Sequence, residues 1–97
     1  MAVRVMVVAH IRDEDAEAFE AAFAEVTRCV RGTPGHRGDE LLRSEPGCYI
    51  LLSEWESREA FVAWEDAPIH RQTTTPMRPY WSGPVTRTIY DVAVRLA

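Results

Sequence analysis

A chain of 97 residues carries one modest core, and 46% hydrophobic with 27% charged residues is the make-up of a folded domain rather than a disordered segment. The net charge of −4 speaks against nucleic acid or an anionic membrane surface as partner, and no apolar run approaches the roughly 20 residues that span a bilayer. Cys29 and Cys48 stand outside any CxxC or Cys/His array, so reduced thiols and a cytoplasmic setting are expected.

The opening "VRVMVVAHI" (3–11) alternates, with Val3, Val5, Val7, Ala9 and Ile11 on one face and Arg4 and His10 on the other. Period two with β-branching predicts a strand rather than a secretion signal. Met6 and Val8 make its second face partly apolar, so both faces are expected to meet something. Asp13 or Asp15 is placed to cap a helix on which Ala16, Phe19, Phe23, Val26 and Val30 form one stripe. "RGTPGHRG" (31–38) ends that helix. "DELLRS" (39–44) and "CYILLSEW" (48–55), around the turn "EPG", predict a hairpin. Ser57 and Glu59 open a second helix running to about Ala67, where Pro68 ends or kinks it. "HRQTTTPMRPYWSGP" (70–84) reads as irregular with room for a short helical turn, and "VTRTIYDVAV" (85–94) as a last strand.

The order βαββαβ over a single domain, residues 1–97, predicts an α+β, ferredoxin-like fold: a four-stranded antiparallel sheet with both helices on one face. The other sheet face, carrying Met6 and Val8 or their opposite set, is then left bare, and a homodimer packed sheet on sheet is expected.

Few residues announce chemistry. Trp55 ends the third strand and Trp64 lies three residues after Phe61 on the second helix; each reads as core packing or as the wall of an aromatic pocket. His70, placed outside the regular helix, has the ordinary pKa for proton transfer, whereas His10 reads as facing a dimer partner or solvent and His36 as a turn residue. The three histidines are too scattered for a zinc site. Tyr80 and Trp81, adjacent in a loop, either cover a cavity mouth or cap the core or a dimer seam. Arg71, Arg78 and Arg87 are candidates to hold a phenolate or carboxylate, and Asp39 with Glu40 reads as a solvated edge. Phosphate loops, GxGxxG and the GxSxG elbow are absent from the sequence.

"PGHRGDELLRS" (34–44) followed by "YILLSEWESREAFVAWEDAPIH" (49–70) resembles the antibiotic-biosynthesis monooxygenase family: a Pro-Gly turn, a Leu-rich strand, a strand ending Trp-Glu-Ser, then Ala-Phe-x-x-Trp and a histidine. The resemblance implies a dimeric α+β barrel with a pocket between helices and sheet in each subunit. It implies cofactor-free oxidation of anthrones or naphthols to quinones with O2, haem degradation, or another activity. Trp55 matches the strand-end Trp of the anthrone oxygenases, and Trp64 the pocket-lining helix Trp. His70 lies near, but a few residues before, the haem-ligating histidine. The haem degraders carry an asparagine where this chain has Val7. The anthrone oxygenases have an asparagine at the position of Leu51 and a tyrosine at that of Phe61.

The expected function is therefore a cofactor-independent monooxygenase that turns an aromatic polyketide phenol into a quinone, with a small planar aromatic substrate and O2 as co-substrate. His70 is the expected general base, Trp55 and Trp64 stack or shape, and Leu51, Phe61 and Trp81 line the site. Tyr80 or Arg87 holds the oxyanion. The alternatives are a haem-degrading oxygenase and a non-oxidative cyclase or binding protein of the same fold.

Overall fold

The computed structural model describes residues 1–96, Ala97 lying outside the described residues. Strand β1 (Val3–His10) leads through a 3-10 turn (Asp13–Asp15) into helix α1 (Ala16–Val30). Strands β2 (His36–Glu45) and β3 (Cys48–Trp55) form the hairpin. Helices α2 (Arg58–Asp66) and α3 (Pro68–Thr74), a 3-10 segment (Thr75–Tyr80) and β4 (Thr86–Asp91) complete the chain. The four strands form one antiparallel sheet in the order β2-β3-β1-β4, so both β1 and β3 are interior. This is the ferredoxin-like α+β arrangement expected from the βαββαβ order.

The pleat divides the side chains. Val3, Val5 and Ala9 are buried under the helices, and their register partners Trp55, Ser53 and Tyr49 share that face. Phe19, Val26 and Val30 of α1 pack onto it; Phe19 meets Tyr49 edge to face with ring centroids 5.1 Å apart. The opposite face carries Met6 and Val8 of β1 against Leu52 and Ile50 of β3, with Leu42 and Tyr90 exposed beside them. Both rows of β1 are thus apolar, one covered within the chain and the other not.

Four local expectations are corrected. Asp15 is the N-cap of α1, but neither it nor Asp13 makes a side-chain capping bond. The 3-10 turn already holds Asp15 in the helical region, and its carboxylate pairs with Arg12 at 3.8 Å. The acids around it still sit favourably at the positive end of the helix dipole. Second, β2 begins at His36 rather than Asp39. Gly35 adopts φ +83°, and a Cβ there would stand 2.4 Å from that of Ala60, so glycine lets this turn press against α2. Its carbonyl accepts a hydrogen bond from the Glu56 amide at 2.8 Å.

Third, the segment after Pro68 is not irregular. Ala67 is extended (φ −69°, ψ 139°), as a residue before proline prefers, and Pro68 occupies the first turn of α3, where its missing N–H costs nothing. Thr74 and Thr75 hydroxyls bond back to the carbonyls of His70 and Arg71 at 2.9 and 2.5 Å, holding α3 together. Finally, β4 stops at Asp91 rather than residue 94. By contrast Ser57 caps α2 as expected, its Oγ accepting from the Ala60 amide at 3.1 Å.

Candidate functional site

Between the sheet and its helical cover lies a cavity of about 250 Å³. Its floor is formed by Val5 and Val7 of β1, Leu51, Ser53 and Trp55 of β3, Asp39 of β2 and Arg87 of β4. Phe23, Val26 and Val30 of α1 wall one side, and Phe61, Trp64 and Glu65 of α2 another. His70, Thr74, Met77, Arg78 and Trp81 close it from α3 and the segment that follows. The surface is mostly apolar with a few inward polar groups, the usual make-up of a ligand site.

The two tryptophans differ. Trp55 is 1% exposed, donates through Nε1 to Ser53 Oγ at 3.0 Å, and packs edge-on against His36 and Phe61 with centroids 5.0 and 5.6 Å apart. It is a fully satisfied core residue with one edge on the cavity. Trp64, 9% exposed, stands edge-on to His70 at 5.1 Å and offers the larger free aromatic surface. His70 is part of α3, not of a loop, and the helix aims its ring at the cavity beside Trp64. Burial, with a smaller push from Arg78, holds the imidazole below its ordinary pKa against the opposing pull of Glu65. It is neutral near pH 7 and free to take up a proton.

Arg87 reaches the cavity wall, but Glu65 clamps its guanidinium in a two-pronged ion pair through Nε (2.8 Å) and Nη2, while its charge also lies over the Phe61 ring at 5.6 Å. A guanidinium so engaged is a poor holder of a further anion. Tyr80 is half-buried against the core and stands outside the cavity lining. Arg71, Glu40 and His10 also lie outside it.

Sequence reasoning named Arg78 and Trp81 only singly, and it missed two pairings. The first is Arg78 with Trp81: the guanidinium lies 5.3 Å over the indole, and Arg78 Nε and Trp81 Nε1 are both buried without a hydrogen-bond partner among the described residues. Unpaired buried donors cost about 1–3 kcal/mol each; both residues line the cavity, while the two nitrogens themselves are sealed behind its wall. Arg78 anchors its other arm on Thr74 Oγ1 at 2.9 Å. The second is Asp39 with His36, read from sequence as a solvated edge and a turn. Their side chains are 14% and 7% exposed and are joined at 2.7 Å. Among the described residues no cluster of His, Cys, Asp and Glu is arranged to hold a metal ion, and no helix is long and apolar enough to cross a membrane.

Comparison with known proteins settles the lineage. The profile of the antibiotic biosynthesis monooxygenase family matches residues 2–75. This chain belongs to that family. It is 34% identical over 83 residues to protein SchA of Streptomyces halstedii, covering 84% of this chain but 22% of that protein. It is 41% identical over 51 residues to the heme oxygenase (mycobilin-producing) of Mycobacterium tuberculosis, about half of each chain (50% and 49%). The chain thus spans half or less of the length of these curated relatives. SnoaB of Streptomyces nogalater, a cofactor-independent oxygenase, superposes with a TM-score of 0.82 at 21% identity, over 98% of this chain and 96% of that one. At that identity the likeness establishes a shared fold. The monooxygenase family and its ferredoxin-like fold are therefore shown for this chain, and the family holds both cofactor-free and haem-degrading oxygenases.

Proposed function

We propose that this member of the family is a cofactor-independent monooxygenase that oxidises a planar, phenolic fused-ring substrate of anthrone or naphthol type to a quinone with O2. The observation that carries this reading is an apolar cavity with a tryptophan on its wall, an imidazole beside that indole, and two lining residues, Arg78 and Trp81, each holding a buried unpaired N–H. Membership of the monooxygenase family and the fold shared with SnoaB, a cofactor-independent oxygenase, support it.

For an anthrone the chemistry is carried largely by the substrate. His70 accepts a proton from the reacting ring CH2, leaving a delocalised anion whose charge rests on the ring oxygen. Arg78 and Trp81 supply N–H groups to that oxygen once their side chains turn into the cavity, a task that Glu65 leaves Arg87 poorly placed to perform. The anion passes one electron to O2; the substrate radical and superoxide combine into a carbon-bound peroxide. That peroxide takes up a proton and loses water, so CH2 and O2 become C=O and H2O. The residues orient and desolvate: Trp64 sets the ring plane, while Trp55, Phe61 and Leu51 keep water out.

A haem-degrading reading draws on the 41% identity with the mycobacterial heme oxygenase and on His70 at the wall. At about 250 Å³ the cavity suits a flat three-ring guest better than the bulkier porphyrin with its iron. A non-oxidative cyclase of the same fold would turn over substrate without consuming O2. The bare apolar sheet face around Met6, Val8, Ile50 and Leu52 supports a homodimer closed face to face, in a cytoplasmic protein.

The test is oxygen uptake by purified protein with a dihydroxyanthrone, for wild type, His70→Ala and Trp64→Phe. One O2 consumed per quinone formed, with His70→Ala slowed by about 100-fold or more, is expected. Turnover without O2 uptake refutes the reading, as does a saturable histidine-ligated Soret band on haem titration.

A further inference from the structure

The Asp39–His36 pair owes its position to an irregularity in β2. Residues three apart on a regular strand point to opposite faces, yet His36 pairs with Trp55 and Asp39 with Ser53, both on the helix-covered face. A register shift between His36 and Gly38 adds one residue to β2 and turns both side chains inward. The imidazole is then fixed from two sides, by the Trp55 ring at 5.0 Å and by Asp39 Oδ2 at 2.7 Å from Nε2. Only Oδ2 is used; Oδ1 makes no hydrogen bond among the described residues, and Asp39 lines the cavity. Across the strand pair Ser53 Oγ accepts from the Trp55 indole, so its hydroxyl proton is directed elsewhere. An oriented carboxylate with a spare oxygen therefore stands in an otherwise greasy wall.

This polar group lies at the opposite end of the cavity from Arg78 and Trp81. Asp39 is in register, through Ser53, with Val5 near the start of β1. Trp81 bridges Ile11 just past the end of β1, and the Ser82 amide bonds the His10 carbonyl at 2.7 Å. One end offers N–H donors, suited to an anionic or carbonyl oxygen. The other offers an acceptor, suited to a hydroxyl that keeps its proton or shares it.

We propose that Asp39, oriented by His36, is a substrate-binding residue that accepts a hydrogen bond from a ring hydroxyl, so that the preferred substrate is a fused-ring aromatic with oxygen substituents at both ends. This rests on the cavity being the aromatic site, and it adds the feature that sets orientation: donor end toward the ligand's oxyanion, acceptor end toward its hydroxyl. Burial raises the Asp39 carboxyl above its ordinary pKa, against the lowering pull of His36, which makes it a more avid acceptor. A ligand lacking the hydroxyl leaves Asp39 Oδ1 without a partner in a dry site and is disfavoured.

The experiment titrates the full chain with a dihydroxyanthraquinone and with unsubstituted anthraquinone, following tryptophan quenching and the visible band of the hydroxylated dye. Wild type is expected to prefer the hydroxylated dye by about 10-fold or more. Asp39→Asn, which keeps the shape of the side chain, is expected to erase most of that preference, weakening the hydroxylated dye and relaxing the rejection of anthraquinone. The dye's band in wild type is expected to shift to the red relative to its band in Asp39→Asn, reporting a proton drawn toward the carboxylate. Equal affinity of wild type for both dyes overturns the proposal without recourse to any variant, as does an unchanged preference in a folded Asp39→Asn. If wild type binds neither dye, the aromatic-site reading itself falls and takes this proposal with it; if it binds both alike, only the role of Asp39 is lost.

Discussion

Replacing Trp81 by phenylalanine separates a ligand-holding donor from a packing residue. In the free protein its Nε1 is buried without a partner, a burden of about 1–3 kcal/mol that the phenyl ring does not carry. Against this stand the lost area of a half-buried indole, about 1–2 kcal/mol at ~25 cal/mol per Å², and a weaker contact beneath the Arg78 guanidinium, about 0.5 kcal/mol. The terms nearly cancel, so the urea midpoint of Trp81→Phe is expected to correspond to wild-type stability within about 1 kcal/mol. Binding is a different matter. With a ligand oxyanion on the indole N–H, one hydrogen bond to a charged group is lost, about 1.5–3 kcal/mol, or roughly 10- to 100-fold in affinity. Denaturation and dye titration on the same preparation therefore diverge. A variant destabilised by more than about 3 kcal/mol that binds the dye as wild type does would refute the reasoning, and would make Trp81 a structural residue.

Trp55→Ala should be far costlier, about 3–5 kcal/mol, because the ring is almost wholly enclosed and its loss also strips packing from His36 and Phe61; a melting curve reads it. His70 imposes an acid-side limit on stability. Its folded pKa lies below the ordinary 6.5, so the unfolded chain binds the proton more tightly; stability is whole above 6.5 and falls as pH drops through the folded value. His70→Gln should flatten that fall as pH drops below 6.5 in urea titrations, and an unchanged slope would argue that the imidazole is not buried. On the open sheet face Ile50→Asp should convert a dimer to a monomer by sedimentation while leaving the monomer's core intact; a wild type that already sediments as a monomer contradicts the face-to-face assembly.

The element order was legible because each long segment declared one period: two for Val3 to Ala9, three and four for Phe19 to Val30. Where legibility failed, a local device outweighed composition. Pro68 was read as a stop, but a proline that ends one helix is equally suited to begin the next, and the threonines after it hold their own carbonyls. Trp64 was read as either core packing or a pocket wall, and its helix places it on the cavity. The cavity's polar ends were not foreseen. His36 was read as a turn residue and Asp39 as a solvated edge, and only the bulge, invisible in the sequence, joins them. Arg78 and Arg87 looked alike as isolated cations; Glu65, distant in sequence, neutralises one of them, while Arg78 is left with a free buried N–H.

A crystal structure of the protein soaked with a dihydroxyanthraquinone tests the central claim most directly. The account predicts the fused rings inside the cavity with their plane set by Trp64, one oxygen on the Nε atoms of Arg78 and Trp81 and a hydroxyl on Asp39 Oδ1. Density for the dye outside the cavity, with the space between α1, α2 and the sheet closed over by Phe23, Leu51 and Met77, would contradict it.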